Sequence, residues 1–131
     1  VKYLLDTSVW LWSLTASERI SREGRELLVR GRQEIYLSAA SSWEIGIKSA
    51  LGKLRLPEPA ISYVPKRMAA QGLRPQAITH SHALAVSELP TYHTDPFDRL
   101  LIAQAQIEGM AILTADRAFQ PYPVEIVWCG R

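Results

Sequence analysis

Residues 95–116 read DPFDRLLIAQAQIEGMAILTAD, and this stretch decides the fold. Asp95 followed by Pro96 has the form of an N-cap and first helical residue. The aspartate oxygen can take up a free amide, and proline has no amide to leave unbonded. The helix is expected to run to about Glu108, where Gly109 stops it. Ala111-Ile112-Leu113 is too short and too uniformly apolar for a helix, so it reads as a buried strand that ends at Thr114-Ala115-Asp116. A helix feeding a short buried strand is the unit of a parallel α/β sheet.

The same alternation extends outward in both directions. Tyr3-Leu4-Leu5 is a buried strand bounded by Asp6-Thr7-Ser8, and Val9 to Trp12 continues as a helix or wide turn. A helix is expected from about Ser21 to Arg32 with Leu27 and Leu28 inward, then a strand at Ile35-Tyr36-Leu37. The next helix carries Trp43, Ile47 and Leu51 on one face at i, i+4, i+8 spacing, and Gly52 stops it. Pro57 and Pro59 punctuate a connection, after which a helix runs from about Ala60 to Ala70 and ends near Gly72. Ala77-Ile78 reads as a weak strand, Ser81 to Glu88 as a short helix, and Leu89 to Thr94 as loop. Val124 to Trp128 is the last strand. These elements predict a three-layer α/β/α sandwich around a mainly parallel central sheet, one domain over residues 1–131.

The chain has 131 residues, of which 47% are hydrophobic and 21% charged, inside the normal range for a globular domain. That composition excludes disorder, collagen-like repeats and a coiled coil as the main organisation. No run approaches the roughly 20 apolar residues that span a bilayer, and no apolar export segment follows a basic start. One cysteine, Cys129, excludes an intrachain disulfide and any multi-cysteine zinc site. A cytoplasmic, non-membrane protein is expected. Fifteen Lys and Arg stand against thirteen Asp and Glu, a net charge of +2 that does not by itself announce nucleic-acid binding. If four acids gather in one site, the rest of the surface is left with a clear basic excess.

Three acids, Asp6, Asp98 and Asp116, stand where strands end or helices begin, and Glu44 lies on the first turn of the helix after the second strand. In an open parallel sheet the ligand crevice lies at the carboxyl ends of the strands, where the strand order reverses. Four carboxylates converging there resist joint ionisation unless a cation neutralises them, and hard Mg²⁺ or Mn²⁺ suits an all-oxygen site. Each acid also has a structural reading. Asp6 and Asp116 fit helix caps, Asp98 fits a capping-box position after Asp95, and Glu44 can pair with Lys48 at i+4. Their common location is what favours a site.

The stretches YLLDTSVWLW, LSAASSWEIGIKSALGKLRLP and HTDPFDRLLIAQAQIEGMAILTADRAF resemble the PIN-domain ribonucleases, specifically toxins of the VapC type from toxin–antitoxin pairs. The blocks cover nearly the whole chain, in order, each centred on the four acids. The resemblance implies that Asp6, Glu44, Asp98 and Asp116 are the catalytic metal ligands, with Asp95 left as a helix cap. Ser8 and Thr114 match polar positions bordering the family's site, and turn or capping roles are open for both. The implied reaction is Mg²⁺-dependent endonucleolytic hydrolysis of RNA, with Mn²⁺ able to substitute. Water, not the RNA 2′-hydroxyl, attacks, leaving a 5′-phosphate and a 3′-hydroxyl. A cognate antitoxin and a homodimer are the implied partners, and inhibition of translation and growth the implied outcome.

Lys48, Arg99 and Arg117 are candidates for gripping RNA phosphates, with Lys53 and Arg55 nearby; solvated surface charge is the alternative for each. Trp10, Trp12 and Trp43 read either as stacking surfaces for bases or as packing. His80, His82 and His93 lack the HExxH pattern or cysteine pairs of a zinc site, and His93 fits a loop hydrogen bond beside the acids. An aspartate-nucleophile phosphatase would want a second acid where Ser8 stands. A phosphoacceptor receiver would want paired acids after the first strand and a lysine where Thr114-Ala115-Asp116 falls. A catalytically silent RNA- or protein-binding domain is disfavoured by the presence of all four acids.

Overall fold

The computed structural model of the protein describes residues 1–31 and 34–131. Among them are five strands: β1 (Lys2–Leu5), β2 (Ile35–Ser38), β3 (Arg74–Gln76), β4 (Met110–Thr114) and β5 (Ile126–Trp128). Six α-helices alternate with them: α1 (Thr7–Thr15), α2 (Arg22–Arg30), α3 (Ala39–Ala50), α4 (Ala60–Gln71), α5 (His80–Ala85) and α6 (Pro96–Glu108). Every strand pairing is parallel and the order is β3-β2-β1-β4-β5. The expected three-layer sandwich is therefore present. Consecutive side chains on a strand point to opposite faces, so Leu4 and Leu5 enter different cores. Leu5, Val9, Trp10, Ile35, Leu37 and Leu113 build one; Leu4, Leu101, Ile102, Ile112 and Phe119 build the other.

Local chemistry sets the helix ends. Ser21 caps α2 by accepting the Gly24 amide, and the expected helix to Arg32 is seen to Arg30; Arg32 itself lies outside the described residues. Asp95 caps α6 by accepting the Asp98 amide, Pro96 is its first residue, and Gly109 at φ 67° closes it. No helix among the described residues is long and apolar enough to cross a membrane.

One expectation is corrected, and one point left open is settled. The strand expected at Ala77-Ile78 lies at Arg74–Gln76, where it pairs with β2 at the edge of the sheet. Pro75 is tolerated there because an edge strand has one side without ladder partners. The apolar stripe of α3 also faces outward: Trp43 is 60% exposed, Leu51 is exposed, and Trp43 meets Phe97 edge-on. The buried face of α3 is Ala40, Ser41, Glu44 and Ile45. Its small residues allow close approach, and two buried hydroxyls fix it. Thr7 Oγ1 donates to Ser41 Oγ (2.7 Å), and Ser38 Oγ donates to Gln104 Oε1 of α6 (2.6 Å).

Candidate metal centre

The strand order reverses at β1, between β2 on one side and β4 on the other. Helices that return antiparallel to the strands bring their N-termini to the strands' carboxyl end, where such sheets keep their ligands. Asp6 follows β1, Glu44 sits in the second turn of α3 and not the first as expected, Asp98 is in the first turn of α6, and Asp116 lies just beyond β4.

Asp6 is buried, and burial first, then repulsion from Asp98 and Asp116, pushes its carboxyl up to about 7. The Thr114 hydroxyl, donating to Asp6 Oδ2 at 2.8 Å, and the Ser8 amide oppose the rise. The same Thr114 oxygen accepts the Asp116 amide at 3.0 Å, so one side chain holds two acids in register. The Ser8 side chain is exposed beside Asp6. Asp98 is pushed up to about 6 by burial above all, with the His93 hydrogen bond pulling it down and Asp95 and Glu44 adding to the rise. Asp6 thus feels Asp98 and Asp116, and Asp98 feels Glu44.

Each structural reading also holds in part. Asp116 Oδ1 caps the 3-10 turn Arg117–Phe119 by accepting the Ala118 amide at 2.9 Å. Glu44 Oε2 pairs with Lys48 Nζ at 2.7 Å, which raises the Lys48 ammonium above its ordinary value. Asp6 occupies the N-cap of α1 without a side-chain cap bond, and Asp98 leaves capping to Asp95.

The donor set fits a divalent cation. The Glu44 side chain is only 8% exposed, yet its Oε1 is buried without a hydrogen-bond partner. A buried carboxylate oxygen left unpaired is costly, and a cation is the partner the neighbouring acids also lack. Carboxylates crowded in a desolvated site favour protons unless a hard ion replaces them.

His93 belongs to the site more closely than its sequence suggested. Its Nε2 lies 2.7 Å from Asp98 Oδ2, and ligand atoms of His93, Asp98 and Asp116 all fall within 4.8 Å of one another. Its amide donates to Tyr122 Oη, and its ring stands edge-on to Phe119. The spacing HTDPFD, five residues from imidazole to carboxylate, was the available signal. His82 is remote in role: buried, it accepts the Thr79 amide at Nδ1 and meets Glu108 through Nε2.

The cations divide. The Arg99 guanidinium donates to the carbonyls of Val86, Leu89, Pro90 and His93, so its donors lock the loop before α6. This is a structural use in place of the expected phosphate grip. Lys48 is half exposed at the rim, and Arg117 lines a cleft with Asp6 and Asp116. Trp10 is buried and its indole donates to Gln71 Oε1, which makes it packing.

Residues 3–124 match the family described as the PIN domain. Ribonuclease VapC16 of Mycobacterium tuberculosis is 50% identical over 60 residues, 46% of this chain and 43% of that protein. Ribonuclease VapC22 of the same organism is 28% identical over 128 residues, 94% of this chain and 96% of that one. Among solved structures, DNA-bound VapBC from Salmonella typhimurium superposes with a TM-score of 0.75 at 17% identity, covering 97% of each chain. VapBC2 from Rickettsia felis, bound to a promoter DNA fragment, gives 0.74 at 17% identity over 98% and 99%. At these identities the solved structures establish the fold.

Proposed function

The chain belongs to the PIN domain family, and from that premise we propose that it is a Mg²⁺-dependent endoribonuclease, the toxin of a toxin–antitoxin pair. What supports the reading is that Asp6, Glu44, Asp98 and Asp116 stand on the elements around the sheet's switch point, with Glu44 Oε1 buried and unpartnered. Relatives named as VapC ribonucleases, and structural neighbours that are toxin–antitoxin complexes, support the substrate class and an antitoxin partner.

The four acids would hold the cation, which when bound supplies Lewis-acid activation of water and neutralises charge at the phosphate. Thr114 orients Asp6 and fixes the backbone of Asp116, while His93 holds Asp98. Lys48 holds one oxygen of Glu44 and leaves the other without a partner. Arg117 contacts substrate phosphate. The outward stripe of Trp43, Ile47 and Leu51 supports a homodimer through α3, and the cytoplasm is where such a pair would act.

Cleavage of a small-RNA pool in Mg²⁺, in EDTA, and by Asp6→Asn tests the reading. Mg²⁺-dependent fragments with 5′-phosphate ends, absent in the variant, are expected. A folded protein that binds RNA but does not cleave it under any divalent metal would instead be a silent binding module.

A further inference from the structure

We propose that the cleft between Trp12 and Trp128 seats one unpaired nucleobase of the RNA beside the phosphate that is cut, an inference that rests on the ribonuclease reading above. The cleft has a volume of about 390 Å³, within the range of small-ligand pockets, and Asp6, Ser8, Asp116 and Arg117 share its lining with the two indoles. Two of the metal-centre acids thus form part of its wall, so an occupant is in direct reach of the reacting groups.

Trp12 packs against the edge of the first core, and Trp128 belongs to neither core. Trp12, on α1, and Trp128, at the end of β5, are both only partly buried. Strand register sets Trp128 opposite Thr114, the residue that ties Asp6 to Asp116. Trp128 is braced from behind: a Cβ on Gly130 would come within 2.9 Å of its ring, so bare backbone lies against the indole. Trp12 is braced by the Arg19 guanidinium, 4.5 Å from its ring centroid. Neither indole N–H has a hydrogen-bond partner among the described residues.

An RNA base is the occupant these features favour. Every base has a π-face that stacks on an aromatic side chain without a hydrogen-bond code, and single-stranded RNA is the form that presents it. Arg117, 5.7 Å from the Trp128 centroid and part of the cleft's lining, puts positive charge where the sugar-phosphate chain must pass. A peptide would gain nothing from facing the carboxylates without a cation of its own.

The test uses the full chain and a short single-stranded oligoribonucleotide that it cleaves, with an abasic nucleotide placed at each position in turn. Binding is read in EDTA and turnover in Mg²⁺. Trp128→Ala and Trp12→Ala are expected to weaken binding on the order of tenfold, with KM raised and kcat little changed, and Phe at either position to restore most of the loss. One abasic position next to the cut should reproduce the penalty in the wild type and add little to it in the Ala variants. If the abasic scan is flat, or the Ala variants bind like wild type, the base seat is overturned while the nuclease stands. The scan on the wild type decides even where an Ala variant does not fold. Absence of any cleavage by the wild type would remove the ribonuclease reading and the base seat with it.

Discussion

Thr114 Oγ1 donates to Asp6 Oδ2 at 2.8 Å across 108 positions of sequence, and accepts the Asp116 amide at 3.0 Å. Thr114→Val keeps the shape and removes both bonds. The buried Asp6 carboxylate then loses the donor that favours its charged form. Activity is expected to fall roughly 10- to 100-fold, the usual effect of losing an outer partner of a metal ligand. The acid limb of the kcat/KM profile should move to higher pH. Thr114→Ser should retain most of the rate, and a pH–rate profile of the three proteins checks this.

Asp6 and Asp98 are pushed up to about 7 and about 6 from an ordinary 3.8. Between the ordinary and the raised values the folded protein binds more protons than the unfolded chain. Stability from these groups therefore falls as pH rises through that window, the reverse of an ion-paired carboxylate. In EDTA, Asp6→Asn should lose less melting temperature than wild type between pH 5 and pH 8. Mg²⁺, which needs the ionised acids, should raise the wild-type melt more at pH 8 than at pH 5. Parallel thermal melts read both, and identical pH slopes for the two proteins would count against the assignment.

His93 and Asp98 form the second anchored pair. Removing the imidazole in His93→Ala frees the Asp98 carboxylate to turn. The Mg²⁺ concentration for half-maximal activity is expected to rise on the order of tenfold, with RNA affinity in EDTA unchanged.

Arg99 and Arg117 should separate cleanly. Arg99→Ala strips donors from four carbonyls in the loop before α6, a loss of about 2–3 kcal/mol in unfolding free energy. Lysine should not rescue it, because an ammonium cannot reproduce a planar fork. Arg117→Ala should leave the melt intact and lessen the salt dependence of single-stranded RNA binding by about 0.7 in log–log slope. Denaturant melts and salt titrations distinguish the two.

The legible parts of the fold were those written in local chemistry. The Asp95-Pro96 start and Gly109 stop of α6 could be read directly, because capping and backbone freedom belong to single residues. The edge strand Arg74–Gln76 could not, since its identity lies in pairing with β2, while its own side chains are mostly exposed and include a proline. Amphipathic spacing located α3 but not which face meets this domain, and the close contact is made by Ala40 and Ser41 instead of the larger stripe. The four acids announced themselves by position, Asp6 and Asp116 just after strands and Glu44 and Asp98 early in helices. His93, Arg99 and Trp128 did not, because what each does depends on neighbours that only the folded chain supplies.

The parallel pairing of β1 with β4 has a temporal consequence. Asp6 emerges early in synthesis, but its amide partner Leu113 and its carboxylate partner Thr114 emerge more than a hundred residues later. Contacts of such sequence separation form late, after the loop entropy has been overcome. A nascent chain therefore carries Asp6 and Glu44 past the translation machinery as scattered acids, without Asp116 or the Thr114 tether. The four acids can stand together only once β4 has been added and has paired with β1.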